Sequence, residues 1–479
     1  MKKENNNISR REFIKRFNAA TAAVGAASLA ACGTTPSSQT ITSSKDKKGN
    51  AASGMTYRTT PTTGDKVSLL GYGCMRWFSL RDKETGIIDQ EGVNELVDYA
   101  IEHGVNYFDT APVYCDGECE RVTGIALNRH PRDKFYIAAK ISNLTPDTWS
   151  REATLAMYNK SFTELQMDYI DYLLLHGVGM GKGIEEFEER FINNNVLDHL
   201  LEERKRGRIR NLGFSFHGDV KVFDHLLSLH DEGKYTWDFV QIQLNYVDWK
   251  HAQEEHPRNI NADYLYGELE KRNIPAVIME PLLGGRLSNV PDHIGLRLKE
   301  REPERSIASW AFRFAGTRPG ILSVLSGMPY MEHLKENVET FSPLEPLTQD
   351  EMDFLDSTAQ QLLRYPTIPC NDCKYCMPCP YGLDIPGILL HFNKCINEGR
   401  MPLTSQDPNY REARRAFLIG YDRSVPKLRQ ANHCIDCKQC VKHCPQRINI
   451  PRQLKRIDRF VEDLKQEREF DTTTYIWMR

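Results

Sequence analysis

Residues 107–114 read Tyr-Phe-Asp-Thr-Ala-Pro-Val-Tyr. The run starts as a β-strand and breaks at Pro112, which has no amide hydrogen for a sheet ladder. It places an acid, Asp109, five residues before a phenol, Tyr114. Two later apolar runs also end in ionisable groups. Phe135-Tyr136-Ile137-Ala138-Ala139 ends at Lys140, and Tyr172-Leu173-Leu174-Leu175 ends at His176. A free phenol with a pKa of about 10 is a poor acid at neutral pH. A neighbouring ammonium lowers that value by favouring the phenolate, and a carboxylate can hold the ammonium in place. Such a set could deliver a proton to a carbonyl oxygen as hydride reaches the carbon. Singly, each residue also suits a surface or capping role; the order and spacing of all four point to one site.

A second kind of chemistry lies near the C-terminus. Of 13 cysteines, eight fall in two runs. The first is Cys370, Cys373, Cys376 and Cys379, followed by Pro380; the second is Cys434, Cys437, Cys440 and Cys444, followed by Pro445. Three closely spaced thiolates can cap one face of an iron–sulfur cubane, and a fourth completes it. In two-cluster ferredoxins the cysteine before proline serves the other cluster. One [4Fe-4S] cluster would then take Cys370, Cys373, Cys376 and Cys444, and the other Cys434, Cys437, Cys440 and Cys379. The first run has two residues before its Cys-Pro where three are usual. Zinc is the alternative for paired Cys-x2-Cys. A third in-step cysteine and a Cys-Pro in each run favour the clusters. Cys395 falls on a helix-period stretch between the runs and is expected to pack rather than ligate.

The elements that must position these groups follow from periodicity. A short hairpin (56–59 and 66–70) opens the regular region and would close one end of a barrel. Apolar runs at 69–75, 106–111, 135–141, 170–176, 210–216, 239–246, 276–282 and 322–328 then alternate with helix-period stretches such as 92–103, 149–165 and 196–206. Eight strand–helix units predict an α/β fold, a closed (β/α)8 TIM barrel. The alternative, an open doubly wound sheet, lacks a Gly-x-Gly-x-x-Gly after an early strand. Polar groups at strand ends belong at the mouth of such a barrel.

With Phe-Asp-Thr-Ala-Pro-x-Tyr, Lys140 and His176 in this order, residues 55–341 resemble the aldo-keto reductase family. The resemblance implies a nicotinamide cofactor, Tyr114 as proton donor, and Asp109, Lys140 and His176 as its support. It also implies a cofactor cradle of Ser215, Gln241, Ser326, Glu336 and Asn337. The cradle departs from the family pattern at three places. Phe216 stands where an Asn follows the Ser, and Met279 where a Tyr stacks on nicotinamide. Gly327 and His333 stand where basic residues clamp a 2′-phosphate. NAD(P)(H) is thus implied without a marked preference for NADPH. The tail, 366–479, resembles the ferredoxin-like extension on a bacterial branch of that family, mainly α-helical with two [4Fe-4S] clusters.

Length and composition set the frame. The chain has 479 residues, 40% of them hydrophobic, and a net charge of −3, which gives no reason to expect nucleic-acid binding. Residues 1–31 look like a twin-arginine signal. Ser9-Arg10-Arg11-Glu12-Phe13-Ile14-Lys15 precedes a mild Ala/Gly-rich stretch, and Leu29-Ala30-Ala31-Cys32 resembles a lipoprotein box. An amphipathic helix with a chance Arg pair is the alternative. A lipidated Cys32 would anchor the protein to the membrane on the periplasmic side. Removing residues 1–31 takes away six basic and two acidic residues, so the remainder is too acidic for polybasic adhesion. No later stretch is long and apolar enough to predict a spanning helix. Residues 32–54 form a Ser/Thr/Lys-rich tether, 55–345 the barrel, 346–365 a connector helix, and 366–479 the iron–sulfur domain.

The expected protein is an exported oxidoreductase. Its barrel handles a small carbonyl or alcohol, and its clusters exchange single electrons with a redox partner protein or quinone. The competing expectation is an electron-transfer or redox-sensing module whose barrel binds a dinucleotide or partner without turnover. Cys115 and Cys119 flank the tetrad and suit a plain loop, a redox pair or a substrate contact.

Overall fold

Strand β1 (Tyr57–Thr59) pairs antiparallel with β2 (Lys66–Ser68). Eight further strands follow: β3 (Leu70–Gly73), β4 (Tyr107–Asp109), β5 (Tyr136–Ile141), β6 (Ile170–Val178), β7 (Ile209–Phe216), β8 (Phe239–Gln243), β9 (Ala276–Met279) and β10 (Ile321–Ser326). They close a parallel barrel in the order β10-β3-β4-β5-β6-β7-β8-β9. The expectation of a closed barrel is met, and each apolar run holds one strand. The computed structural model describes residues 54–82, 84–255, 259–363, 367–402 and 408–466, which fall in one contact unit. The signal segment 1–31, Cys32 and the tether up to residue 53 lie outside the described residues.

The strands are apolar on both faces because both faces are covered. All nine residues of β6 are buried. Inside the barrel, Tyr107, Tyr172, Leu174, Phe239 and Val277 pack in one cluster with Val67 from the hairpin. The hairpin plugs the end where the strands begin. Thr60 Oγ1 lies 2.8 Å from Tyr172 OH, Tyr172 OH donates to Asp65 Oδ2 at 3.2 Å, and Arg210 pairs with Asp65 at 2.7 Å. With that end sealed, the C-terminal strand ends are left to carry a site.

Helices cover the outside. Gln90–Glu102 is capped by Asp89, which accepts from Gly92 N at 3.1 Å. Arg151–Leu165 is capped by Ser150 in the same way and stops at Gln166, whose φ is 57°. Helix Gln349–Leu363 buries Leu355, Ala359 and Leu363 in the barrel's own core.

The C-terminal segment has a second core. Helices Ile385–Asn397, Tyr410–Ser424 and Ile450–Lys465 bury Ile388, Phe392, Phe417, Tyr421, Ile457 and Phe460 together. The segment is an internal duplication. Cys370-x-Asp372-Cys373-Lys374-x-Cys376 repeats as Cys434-x-Asp436-Cys437-Lys438-x-Cys440. Each copy has positive φ at the same two places: Asp372 (54°) and Lys374 (63°), Asp436 (58°) and Lys438 (61°). Each Cys-Pro then leads to a helix with proline in its first turn. The caps are Asp384, accepting from Gly387 N at 3.2 Å, and Asn449, accepting from Arg452 N at 3.3 Å.

This segment is docked on the C-terminal face of the barrel. Arg76 pairs with Asp372 at 2.9 Å and donates to Asn371 O at 3.0 Å. Lys374 Nζ lies 3.6 Å from the centre of the Phe78 ring. Gln446 donates to Gln243 at 3.1 Å. Gly284 has φ +68°, and a Cβ there would come within 2.3 Å of Asn371 Cα, so the two backbones meet where only glycine leaves room.

One buried carboxyl, on the helix Cys119–Leu127, gives a pH test. Burial pushes the Glu120 carboxyl from 4.5 up to about 7; the Ser161 hydroxyl opposes the shift and Glu164 adds to it. The folded chain therefore holds this proton more tightly than the unfolded chain. The stability it contributes is full below pH 4.5 and is lost as pH rises through about 7. Glu120→Gln keeps the shape and cannot ionise. Across that window the variant should gain on the parent by on the order of 3 kcal/mol. Urea unfolding of both proteins at each pH measures the difference; a difference constant with pH would refute it.

Candidate active site

Asp109 closes β4, and the register sets it beside Ala138 of β5. Lys140 stands two residues further along the same face of β5, so its side chain comes back over Asp109. Lys140 Nζ forms an ion pair with Asp109 Oδ1 and donates to Thr110 O at 3.0 Å. Gln241 of β8 donates to the other Asp109 oxygen at 3.3 Å. His176 on β6 has its Nδ1 2.6 Å from Ser142 Oγ. The Tyr114 ring meets the His176 ring edge-on, centroids 5.7 Å apart, and Lys140 Nζ lies 5.1 Å from the Tyr114 ring centre. The four residues singled out in the sequence are thus brought together.

Their electrostatics depart from expectation in one respect. Burial raises the Asp109 carboxyl, with Lys140 working against the shift. Burial and then the charge of Lys140 hold His176 well below its usual range, so the ring is neutral at physiological pH. Tyr114 was expected to be lowered by Lys140. Instead burial pushes its phenol well above the ordinary value, and Tyr375 and Asp109 add to the shift. The physical reason is that Lys140 donates to Asp109 and Thr110 and lies over the Tyr114 ring, with no hydrogen bond to the phenol.

A cavity of about 630 Å³ runs from this site along the barrel mouth. Ser215, Gln241, Ser326, Glu336 and Asn337 all line it, as do Met279, Gly327 and His333. Several of these side chains already have protein partners. Ser215 Oγ accepts from Gly177 N at 2.8 Å, and Asn337 donates to Ser326 Oγ at 3.0 Å. Phe216 turns away to pack on Phe223, with centroids 5.1 Å apart. The space a Cβ would fill at Gly327 is taken by Arg76 Cγ.

A second cavity, about 1170 Å³, lies outside the tetrad under the two cysteine loops. Cys373, Cys376, Cys379, Cys437, Cys440 and Cys444 line it, and the twelve described cysteines are all free. Beyond burial, Cys444 contributes to raising the thiol pKa values of Cys370, Cys373 and Cys376. Cys379 does the same for Cys434 and Cys440. The cysteine of each Cys-Pro thus lies beside the other run's triplet, and the residues fit two crossed four-thiolate sets. Among the described residues no three His, Cys, Asp or Glu side chains converge on one metal ion. Thiolates of a cubane each bind a different iron and need not converge so tightly. Cys395 is buried 3.6 Å from His391, away from both sets. Cys119 accepts from Thr110 Oγ1 at 3.1 Å and donates to Cys74 O at 3.3 Å, and Cys115 donates to Met75 O at 3.5 Å.

Three participants were missed in the sequence. Ser142 follows Lys140 by two positions and so shares its strand face; that signal was available. Arg76 gave none. Tyr375, between Cys373 and Cys376, reaches down to place its hydroxyl 3.1 Å from His176 Nε2, beside the Tyr114 phenol. A residue inside a Cys-x2-Cys spacer carries no periodicity that would announce it.

Comparison with known proteins agrees with this geometry. Residues 69–360 match the model of the aldo/keto reductase family. The uncharacterized oxidoreductase YqkF of Bacillus subtilis (strain 168) is 26% identical over 321 residues, covering 64% of this chain and 97% of that protein. The glyoxal reductase of the same organism is 27% identical over 300 residues, 61% of this chain and 92% of the relative. Among solved structures, the holo form of an aldo-keto reductase from Bacillus halodurans superposes with a TM-score of 0.50 at 22% identity, covering 64% of this chain and 96% of that one. That last likeness is one of fold. With the family match spanning the whole eight-stranded barrel, the chain belongs to the aldo/keto reductase family of oxidoreductases.

Proposed function

We propose that this chain transfers hydride between a nicotinamide dinucleotide and a carbonyl or alcohol, and exchanges electrons through two [4Fe-4S] clusters. The observation that carries the proposal is the convergence of Asp109, Tyr114, Lys140 and His176 beneath two loops of closely spaced free thiols. Bound in the cradle and between the thiols, the dinucleotide supplies hydride and the clusters supply one-electron exchange. The protein's own residues do the rest. Tyr114 gives its proton to the substrate oxygen. Lys140, fixed by Asp109 and the Thr110 carbonyl, sets positive charge close to the oxygen that develops negative charge. Neutral His176, held by Ser142, orients that oxygen. Ser215, Gln241, Ser326, Glu336 and Asn337 form the wall along which the dinucleotide lies. The alternative, a redox module that binds without turnover, is favoured by one observation: Ser215, Gln241 and Asn337 already spend hydrogen bonds on protein partners.

The Tyr114→Phe variant separates the two. It keeps the ring against His176 and removes only the proton donor. Steady-state rates of carbonyl reduction should fall by at least ~10²-fold, the scale of a positioned acid. A rate within a few-fold of the parent would turn the choice to the module without turnover.

The clusters are tested separately. Anaerobically prepared protein should hold about eight iron and eight sulfide per chain, and the reduced form should show the low-temperature EPR signal of such clusters. Stoichiometric zinc without iron would overturn the assignment.

Export and anchoring belong to the same proposal, supported by the twin-arginine pattern and Leu29-Ala30-Ala31-Cys32. A route that carries folded protein suits a chain that must be loaded with clusters first. Cys32→Ser should move the protein from the membrane fraction to the soluble one; unchanged membrane association would rule out lipid attachment at Cys32.

A further inference from the structure

Tyr375 is where the cysteine segment enters the catalytic centre. The duplicated loop has Gln439 at the equivalent place, so the cysteine geometry itself does not call for a phenol there. Tyr375 lies on the shared wall of both cavities, as does Tyr114. Its oxygen lies 3.1 Å from His176 Nε2, and its phenol stands close enough to Tyr114 to add to the upward shift of that group. When the Ser142 hydroxyl donates to His176 Nδ1, the proton of the neutral ring is on Nε2 and points at that oxygen. The oxygen of Tyr375 then receives a hydrogen bond from His176 and lies beside the Tyr114 phenol. Those are the two donors a substrate carbonyl must engage to be protonated by Tyr114.

The loop that carries Tyr375 is held by specific contacts. Asp372 is tied to Arg76 at 2.9 Å, Lys374 covers Phe78, and Asn371 presses on Gly284. The outer cavity that opens beyond Tyr375 has an apolar side made by Met75, Phe78, Leu144, Trp149, Met157 and Met180. A ligand that displaces the phenol must replace its hydrogen bond and its packing, and that wall rewards only a large apolar body.

Resting on the hydride-transfer function proposed above, we infer that the Tyr375 hydroxyl occupies the place of the substrate oxygen, so the site selects carbonyl compounds with an apolar body large enough to displace it into the outer cavity. Tyr375 is then a specificity-determining residue and an internal competitor of the substrate. Small polar aldehydes lose to it; aromatic and polycyclic carbonyls win.

The test uses cluster-loaded full-length protein with dinucleotide present, and the variant Tyr375→Phe. Two aldehydes, glyceraldehyde and 2-naphthaldehyde, probe turnover. Acetate and 2-naphthoate, whose carboxylate oxygens stand in for the carbonyl, probe binding by calorimetry without turnover. The parent should favour 2-naphthaldehyde by roughly tenfold or more in kcat/KM, the scale of an extra buried ring. In Tyr375→Phe, KM for both aldehydes should fall roughly fivefold, one neutral hydrogen bond's worth, with kcat within about twofold. Acetate and 2-naphthoate should bind tighter by the same factor. Weaker carboxylate binding or a raised KM would make Tyr375 a substrate donor and overturn the inference, as would a parent without preference for the larger aldehyde. Arg76→Met, which unties Asp372 and leaves the phenol in place, should shift carboxylate binding in the same direction and covers the case in which Tyr375→Phe loses iron. Tighter carboxylate binding in a protein that reduces neither aldehyde would sink hydride transfer and leave the displacement standing. Aldehyde reduction with weakened binding would do the reverse.

Discussion

A charged ammonium does not survive alone in the middle of a barrel, and Lys140 is almost fully buried. Its burial is tolerable only because Asp109 is beside it, Thr110 O accepts a further hydrogen bond, and Gln241 satisfies the second carboxylate oxygen. Removing one member of such a pair strands the other charge and typically costs about 3–5 kcal/mol. The pair ties β4, β5 and β8 together across the barrel mouth. Everything around it answers to that field. His176 is kept neutral partly by the Lys140 charge, and Tyr114 lies within its reach without a hydrogen bond from it. The hairpin performs the complementary task at the other end, where Asp65 and Arg210 seal the strand starts and leave one face for chemistry.

The cysteine segment is built as a roof for that face. Its core is separate from the barrel's, so it reaches the site through loops rather than through shared packing. The contacts that dock it are specific, among them an ion pair, a close backbone approach at Gly284 and a side-chain amide bond at Gln446. The burial that raises the thiols disfavours their charged forms. Bound metal removes that conflict by taking the charge that deprotonation leaves. Cys370, Cys373, Cys376, Cys434, Cys440 and Cys444, all raised, would therefore cost less to hold as metal-bound thiolates than as free ones.

Much of this was legible in the sequence because it was periodic. Eight apolar runs gave eight strands, and the two-residue alternation inside 135–141 is what puts Lys140 on the face of Ala138 and Asp109. The expected tetrad converged for the same reason: strand ends share one plane in a closed barrel. What was illegible came from tertiary approach. Arg76 sits in a short 3-10 turn and meets Asp372 across 296 positions. No local pattern encodes that. The Tyr114 phenol was misjudged because proximity of an ammonium is readable from order along the chain, whereas burial and the direction of the ammonium's hydrogen bonds are not. The duplication of Cys-x-Asp-Cys-Lys-x-Cys is present in the sequence, but nothing local says which copy meets the barrel.

That duplication shows where the two loops are alike and where they differ. Asp372 and Asp436, Lys374 and Lys438, and the positive φ values at all four, keep the same turn in each copy. Those shared features belong to holding thiols. The unshared ones belong to the barrel. Only the first copy has an aromatic at its fifth following position, and only that copy's Asp meets an arginine of the barrel. The barrel residues that meet this copy are likewise special. Gly284 has no side chain to spare, and the half-buried Glu280, lifted to about 7 by desolvation against the pull of Arg76, lines the same cavity wall. A loop that merely stored electrons would need none of this. The asymmetry between the copies makes the first loop part of the active site as well as part of the roof. A change in the thiol cage that shifts the backbone at Lys374 must also shift the phenol one residue on, and with it the hydroxyl that meets His176.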